Sequence, residues 1–359
     1  MKNVLEWLEA TVEKYPDKPA FSDTECSITF RQVYDIARNT GAYLVEQLGV
    51  DRTPVAVFAG RKMVTPAYFL GVVYAGRPYA PIDASLPDKR IEKILENLCP
   101  GAIVADRESR EHVESIVDEL AKAEGFDRPQ IFIAEDISRF EQVACADSNC
   151  KISESAGDAV TDSENDTDGG VVAGCAGKTD DSSRDMLAVV RRQMSMTDPL
   201  YIIYTSGSTG NPKGVMTSHL SLMTYINAYC DVMHIEESDV LGNQSPLDYI
   251  AAIRDIYLPL KTGCSTAIIP KEYFMEPNAL FDYMNDKKVS SVGWSVSAFT
   301  ILTSLGAFEE VGLKSLRKIL LLRLSNAMQG AQKMAGKSAG STFCEPVWTD
   351  RGHSIMHIL

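Results

Sequence analysis

The stretch 201–214, YIIYTSGSTGNPKG, constrains this chain more than any other. The apolar run 200–204, LYIIY, predicts a buried strand. It leads straight into Thr205, Ser206, Gly207, Ser208, Thr209 and Gly210. Short hydroxyl side chains and glycines on one turn make a concave surface of hydroxyls and backbone N–H groups. Such a surface suits phosphate oxygens, because the donors are short and glycine lets the backbone approach closely. Lys213 adds a positive charge, Pro212 stiffens the loop beside it, and Gly214 follows. The competing reading is a solvated Ser/Gly turn. A flexible linker, however, would not be locked between an apolar strand and Pro-Lys-Gly. The spacing differs from GxxxxGK[ST], because Pro212 stands where that pattern has its second glycine. Beyond the loop, 218–229 predicts a helix whose N-terminus faces the phosphates, an arrangement its dipole favours. His219 stands at the start of that helix.

Strands and helices alternate on either side of this segment. The pattern predicts helices over 28–49, 63–74 and 90–98, and strands over 55–59, 102–105 and 130–134, with 77–83 extended. Further on it predicts strands at 265–270 and 289–295 and a helix at 280–285. Alternation of this kind gives an α/β fold of layered, mostly parallel sheets with flanking helices. Residues 145–185 break the pattern: they hold ten acidic against three basic residues and no apolar periodicity. Such a segment buries too little apolar surface to order itself, so a disordered insertion is expected. The resulting organisation is one α/β unit over 1–144, an acidic linker over 145–196, a second unit over 197–320 and a tail over 321–359.

Composition narrows the function classes. A net charge of −14 argues against a basic nucleic-acid surface. The start, MKNVLEWLEATVEKYPDKPA, reads as an amphipathic helix ending before Pro16 rather than a signal peptide. No apolar run is long enough for a membrane span. Eight cysteines without a CxxC pair suit a reducing cytoplasm better than a disulfide framework. No residue pattern supports a metal cage.

TSGSTGNPKG resembles the signature of the adenylate-forming enzymes. These comprise acyl- and aryl-CoA ligases, luciferases and the amino-acid adenylation domains of nonribosomal peptide synthetases. ITFRQVYDIA and AGRPYAPIDASLPDKRIEKIL resemble the first two core motifs of the adenylation domains, in the right order. IYLPLKTG followed by IIPKEYF is similar to D-alanine–carrier protein ligases as well. The resemblance implies ATP-dependent activation of an amino acid as an acyl-adenylate, release of pyrophosphate, and transfer to a carrier-protein thiol. Thr205, Ser206, Ser208, Thr209 and Lys213 would bind the triphosphate, with Gly207, Gly210 and Gly214 giving clearance. Mg²⁺ would bridge the phosphates. A CoA ligase and a catalytically dead fragment are the alternatives.

The acid pocket implied by the resemblance is less regular. The family's F-D-x-S segment, whose Asp holds the substrate ammonium, corresponds to SPLDYIAAIRDIYLPL. Ile250 falls at the expected Asp and Ala252 at the expected Ser, while Asp248 lies two residues earlier. Asp248, Tyr249, Trp294 and Ser297 are the pocket candidates. The tail 321–359 lacks the expected adenine-holding motif. Read one base later, with free choice of the degenerate third bases, codons for FCEPVWTDRGH can spell FVNLYGPTEV, and those for NAMQGAQKMA can spell MPCKVLKKW. A one-base frameshift near Leu321 is therefore expected, with the tail unpacked. On this reading the family's catalytic lysine lies outside the chain.

Overall fold

The computed structural model describes residues 2–122, 125–139, 181–206, 211–307, 312–322, 342–348 and 354–358. From the N-terminus, α1 (Leu5–Lys14), β1 (Pro19–Ser22), β2 (Ser27–Thr29) and α2 (Phe30–Leu48) come first. Then follow β3 (Val55–Phe58), α3 (Thr65–Tyr74), β4 (Tyr79–Ile82), α4 (Asp88–Leu98), β5 (Ala102–Ala105), α5 (Arg110–Leu120), β6 (Gln130–Ile133) and α6 (Ala134–Ser138). The middle holds α7 (Asp181–Gln193), β7 (Pro199–Ser206), β8 (Pro212–Ser218), α8 (His219–Met233) and β9 (Val240–Asn243). Last come α9 (Ile253–Thr262), β10 (Ser265–Ile268), α10 (Pro277–Asp286), β11 (Ser291–Ser295), α11 (Val296–Ser304), β12 (Lys318–Leu322), β13 (Thr342–Trp348) and β14 (Ser354–Ile358).

Among the described residues these strands form two sheets. One has the order β6-β5-β3-β4-β7-β8, the other β14-β13-β12-β11-β9-β10-β1-β2. The inner pairs are parallel, and β1–β2, β7–β8 and β13–β14 are antiparallel. The expected α/β class is therefore observed. Strands β3, β4 and β5 are buried along their whole length, as strands covered on both faces must be. On one face Ile91, Ile94 and Leu95 of α4 and Val113, Ile116 and Val117 of α5 meet Phe58, Ile82 and Ile103. On the other, α2 and α3 share one core with α1 and the second sheet. A capping box starts α2: Gln32 N donates to Thr29 Oγ1 at 3.2 Å, and Thr29 N donates to Gln32 Oε1 at 2.9 Å.

The division at residue 197 does not follow the sheets. β7 and β8 complete the first sheet, and β1 and β2 complete the second. Sheet pairing between distant segments won over sequence adjacency. The acidic insertion over 145–180 lies outside the described residues. Residues 181–193, placed in the linker by composition, form α7 instead. Leu187, Val190 and Met194 recur at helical spacing and bury against the core, which outweighs the local polarity. Within the tail 321–359 two further strands are described. The backbone of β13 pairs parallel with β12, Lys318 opposite Thr342, and β14 folds back on β13.

Candidate functional site

The loop motif sits on a hairpin. β7 and β8 are antiparallel, with Tyr204 opposite Gly214, Thr205 opposite Lys213 and Ser206 opposite Pro212. The helix expected over 218–229 is present as α8 (His219–Met233), but its N-terminus does not face the turn. The seven residues of β8 intervene, so α8 starts about 20 Å from the turn. Pairing with β7 satisfies the backbone groups that face β7. His219 therefore lies at the opposite end of the hairpin from the turn. It is buried, its Nδ1 accepts from Val4 N at 3.5 Å, and burial lowers its pKa to about 4. That is a structural role.

At the turn end, Thr205 and Lys213 are exposed. Thr205 Oγ1 donates to the Lys213 carbonyl at 3.5 Å, and among the described residues no carboxylate pairs with Lys213. A free ammonium beside a hydroxyl, both open to solvent, is a donor set suited to phosphate oxygens. The backbone of Ser206 ends β7, while Gly207, Ser208, Thr209 and Gly210 lie outside the described residues. Gly214 has a reason of its own. A Cβ there would lie 2.9 Å from Ile202 Cγ2 and 3.1 Å from Tyr204 Cζ, so its bare backbone seats the Tyr204 ring.

In the first sheet β4 lies beside β7 and runs parallel to it, with Tyr79 opposite Tyr201. The carboxyl end of β4 thus opens at the same edge as the turn. A cavity of about 630 Å³ lies at this edge. Its walls come from the segments after β3 (Ala59–Val64), after β4 (Asp83 and Ser85), after β9 (Pro246–Asp248) and after β10 (Pro270–Glu272), and from the β1–β2 turn. Ligand crevices in open α/β sheets form at such carboxyl ends.

Asp248 lines this cavity. Burial raises its pKa above the usual carboxylate value, and the neighbouring charge of Asp83 adds to the shift. Among the described residues no cation forms a salt bridge with it. Arg61 lines the same cavity, donating from one guanidinium nitrogen to both Asn243 O and Asn243 Oδ1 at 2.9 Å. Burial pulls the Arg61 guanidinium down to about 10. Behind it, Asn243 Nδ2 donates to Asp255 Oδ2 at 3.0 Å, and Asp255 pairs with Arg254 at 2.9 Å.

The other three pocket candidates stand elsewhere. Tyr249 is 54% exposed beside the cavity, not in its wall. Trp294 is fully buried against Phe274 and Phe299, with Nε1 donating to Gly242 O at 2.9 Å, which makes it core. Ser297 is exposed on the first turn of α11. Asp83 and Arg61 escaped the sequence reading as site residues. Asp83 carried a signal in the strand-end PID; Arg61 carried none, because its position depends on β9 lying next to the β3–α3 loop. Among the described residues no group of three or more His, Cys, Asp or Glu is placed to hold a metal ion. Among them too, no helix is long and apolar enough to cross a membrane. Among the described residues Cys99, Cys230 and Cys264 are free thiols.

Two mostly parallel sheets, a hydroxyl-rich hairpin turn and a cavity at the strands' carboxyl edge define the N-terminal domain architecture of adenylate-forming enzymes. A profile of the AMP-binding enzyme family matches residues 8–349, and this chain belongs to that family. Its relatives include the D-alanine–D-alanyl carrier protein ligase of Bacillus velezensis, 26% identical over 288 residues, 80% of this chain and 46% of that protein. The Bacillus cereus ligase of the same name is 25% identical over 318 residues, 88% of this chain and 53% of that protein. The chain thus spans about half the length of these curated relatives. A nonribosomal peptide synthetase crystal structure shares the fold at TM-score 0.72 and 19% identity, covering 99% of this chain and 32% of that one. A four-domain nonribosomal peptide synthetase bound to AMP and glycine matches at TM-score 0.68 and 18% identity, covering 97% and 21%.

Proposed function

We propose that this chain carries the nucleotide and acid sites of an enzyme that activates an amino acid with ATP. The carboxylate attacks the α-phosphate, pyrophosphate leaves, and the aminoacyl-adenylate passes its acyl group to a carrier-protein thiol. The observation that carries this reading is the exposed Thr205–Lys213 pair at the turn of the β7–β8 hairpin, on the same sheet edge as the cavity holding Asp248. Relatives named D-alanine–D-alanyl carrier protein ligases support an amino acid and a carrier protein as the partners.

In this reading Thr205, Ser206, Ser208, Thr209 and Lys213 bind the triphosphate. Lys213 offsets its charge, and Gly207 and Gly210 give clearance. Magnesium arriving with ATP would supply further charge neutralisation on the phosphate oxygens. Asp248 holds the substrate ammonium in place of the family's usual Asp, two residues earlier in the chain. Pyrophosphate exchange by a frame-corrected, full-length protein against a panel of amino acids and simple carboxylic acids tests it. Exchange that depends on an amino acid supports the reading. Exchange with simple acids alone assigns the site to an acyl- or aryl-CoA ligase, the reading favoured by Ile250 at the position of the usual Asp.

A further inference from the structure

Two hydrogen bonds from one helix meet the two strands of the β7–β8 hairpin, one on each side of its turn. Tyr204, on β7, donates its hydroxyl to Asn97 Oδ1 at 2.8 Å. Asn211, just before β8, accepts from Lys93 Nζ at 3.2 Å. Lys93 and Asn97 are four residues apart on α4, so they share one helix face. The opposite face of α4 is fixed by Ile91, Ile94, Leu95 and Leu98, which are buried against the first sheet.

The hairpin needs such support. Among the described residues β8 pairs with β7 alone, at the edge of the sheet, and most of its residues are exposed. A strand held on one side by backbone bonds and packed on few neighbours opens easily. Thr205 and Lys213 sit on this weakly held element, directly between the two tied residues. The Tyr204 ring is itself held by its seat over Gly214, where any Cβ would strike it. Burial raises the Tyr204 phenol to about 12, so it stays protonated and keeps donating.

We propose that Lys93, Asn97, Tyr204 and Asn211 form a clamp that positions Thr205 and Lys213 for phosphate binding. Gly214 serves as the seat of its aromatic arm rather than as clearance for phosphate. The clamp rests on the ATP reading of the hairpin for its purpose, but not for its existence. It holds Thr205 and Lys213 at one separation before nucleotide arrives, so less ordering is left for binding to impose. Lys93 acts through Asn211 and is a positioning residue.

The test uses the full chain with Tyr204→Phe, Lys93→Met, Asn211→Ala, the double variant Lys93→Met/Asn211→Ala, and Lys93→Arg. Amide exchange across 204–206 and 212–215 should speed up about threefold to tenfold in Tyr204→Phe and in Lys93→Met. It should stay at the wild-type rate in Lys93→Arg. Unchanged exchange in both Tyr204→Phe and Lys93→Met overturns the clamp. In ATP titration calorimetry the double variant should bind no more weakly than Lys93→Met alone, because both changes cut the same tie. Losses that multiply would mean that Lys93 meets the phosphates itself, which also overturns it. If the wild-type chain binds no ATP, the functional reading fails, and the exchange rates still decide whether the clamp exists.

Discussion

The two ends of the β7–β8 hairpin differ in almost every physical respect. At the turn end Thr205 and Lys213 are exposed, and the strands are tied by side chains of α4. At the other end Asp198 and His219 are buried, and His219 N donates to Asp198 O at 3.2 Å. Arg52 pairs with Asp198, and Val4 N donates to His219 at 3.5 Å, joining this end to the start of α1. One end spends its polar groups on the fold. At the turn end the Lys213 ammonium has no carboxylate partner among the described residues, which leaves it available to a ligand. Proximity in sequence misleads here, since His219 follows Lys213 closely in the chain yet lies at the far end of a strand.

The largest expected effect is on stability, at the buried end. A histidine held neutral down to about 4 binds its proton more readily once unfolded. Its contribution is complete above pH 6.5 and is lost as pH falls from 6.5 toward 4, on the order of 3 kcal/mol. Thermal melts across that window should show the slope, and His219→Gln should flatten it without altering ATP affinity. A slope equal to that of wild type would remove His219 from the account. Lys213→Ala should do the reverse. ATP binding should weaken by about tenfold to a hundredfold, the worth of a charge-assisted bond, while the melting temperature holds. Equal loss of stability and affinity would erase the contrast between the two ends.

Asp248→Asn sharpens the comparison by adding the cavity. Amino-acid KM should rise about tenfold with ATP KM unchanged, as expected for one lost charged hydrogen bond. Because burial and Asp83 raise the Asp248 pKa, amino-acid binding should weaken with falling pH at a value above the ordinary carboxylate range. A KM for ATP that rises in step would place Asp248 outside acid recognition. The smallest effect is at the middle of the hairpin. Gly214→Ala forces the Tyr204 ring to shift and should cost about 1 kcal/mol, seen as a lower melting temperature. Tyr204→Ala in the same background should recover part of it.

The phosphate motif was legible because its chemistry is local. Short donors, two glycines and a lysine within ten residues need no partner from elsewhere in the chain. The helices were legible for the same reason: Ile91, Ile94, Leu95 and Leu98 on α4 repeat at the period of a helix. The cavity was legible only in part, through Asp248. Trp294 looked like pocket wall from its place in the motif order, yet contacts with Phe274 and Phe299 make it core. The strand β8 was missed because PKGVMTS has neither clean alternation nor a helical stripe, and only its pairing with β7 makes it a strand.

From residue order alone came the α/β alternation, the family signature and the run of short donors proposed to bind phosphate, all set by periodicity and by side-chain types adjacent in the chain. The tertiary structure alone decided which end of the hairpin faces the site, that Arg61 and Asp83 share a cavity with Asp248, and that α4 reaches both strands of the hairpin. Those facts depend on hydrogen-bonded pairing and on packing between segments up to two hundred residues apart, and no local pattern carries them.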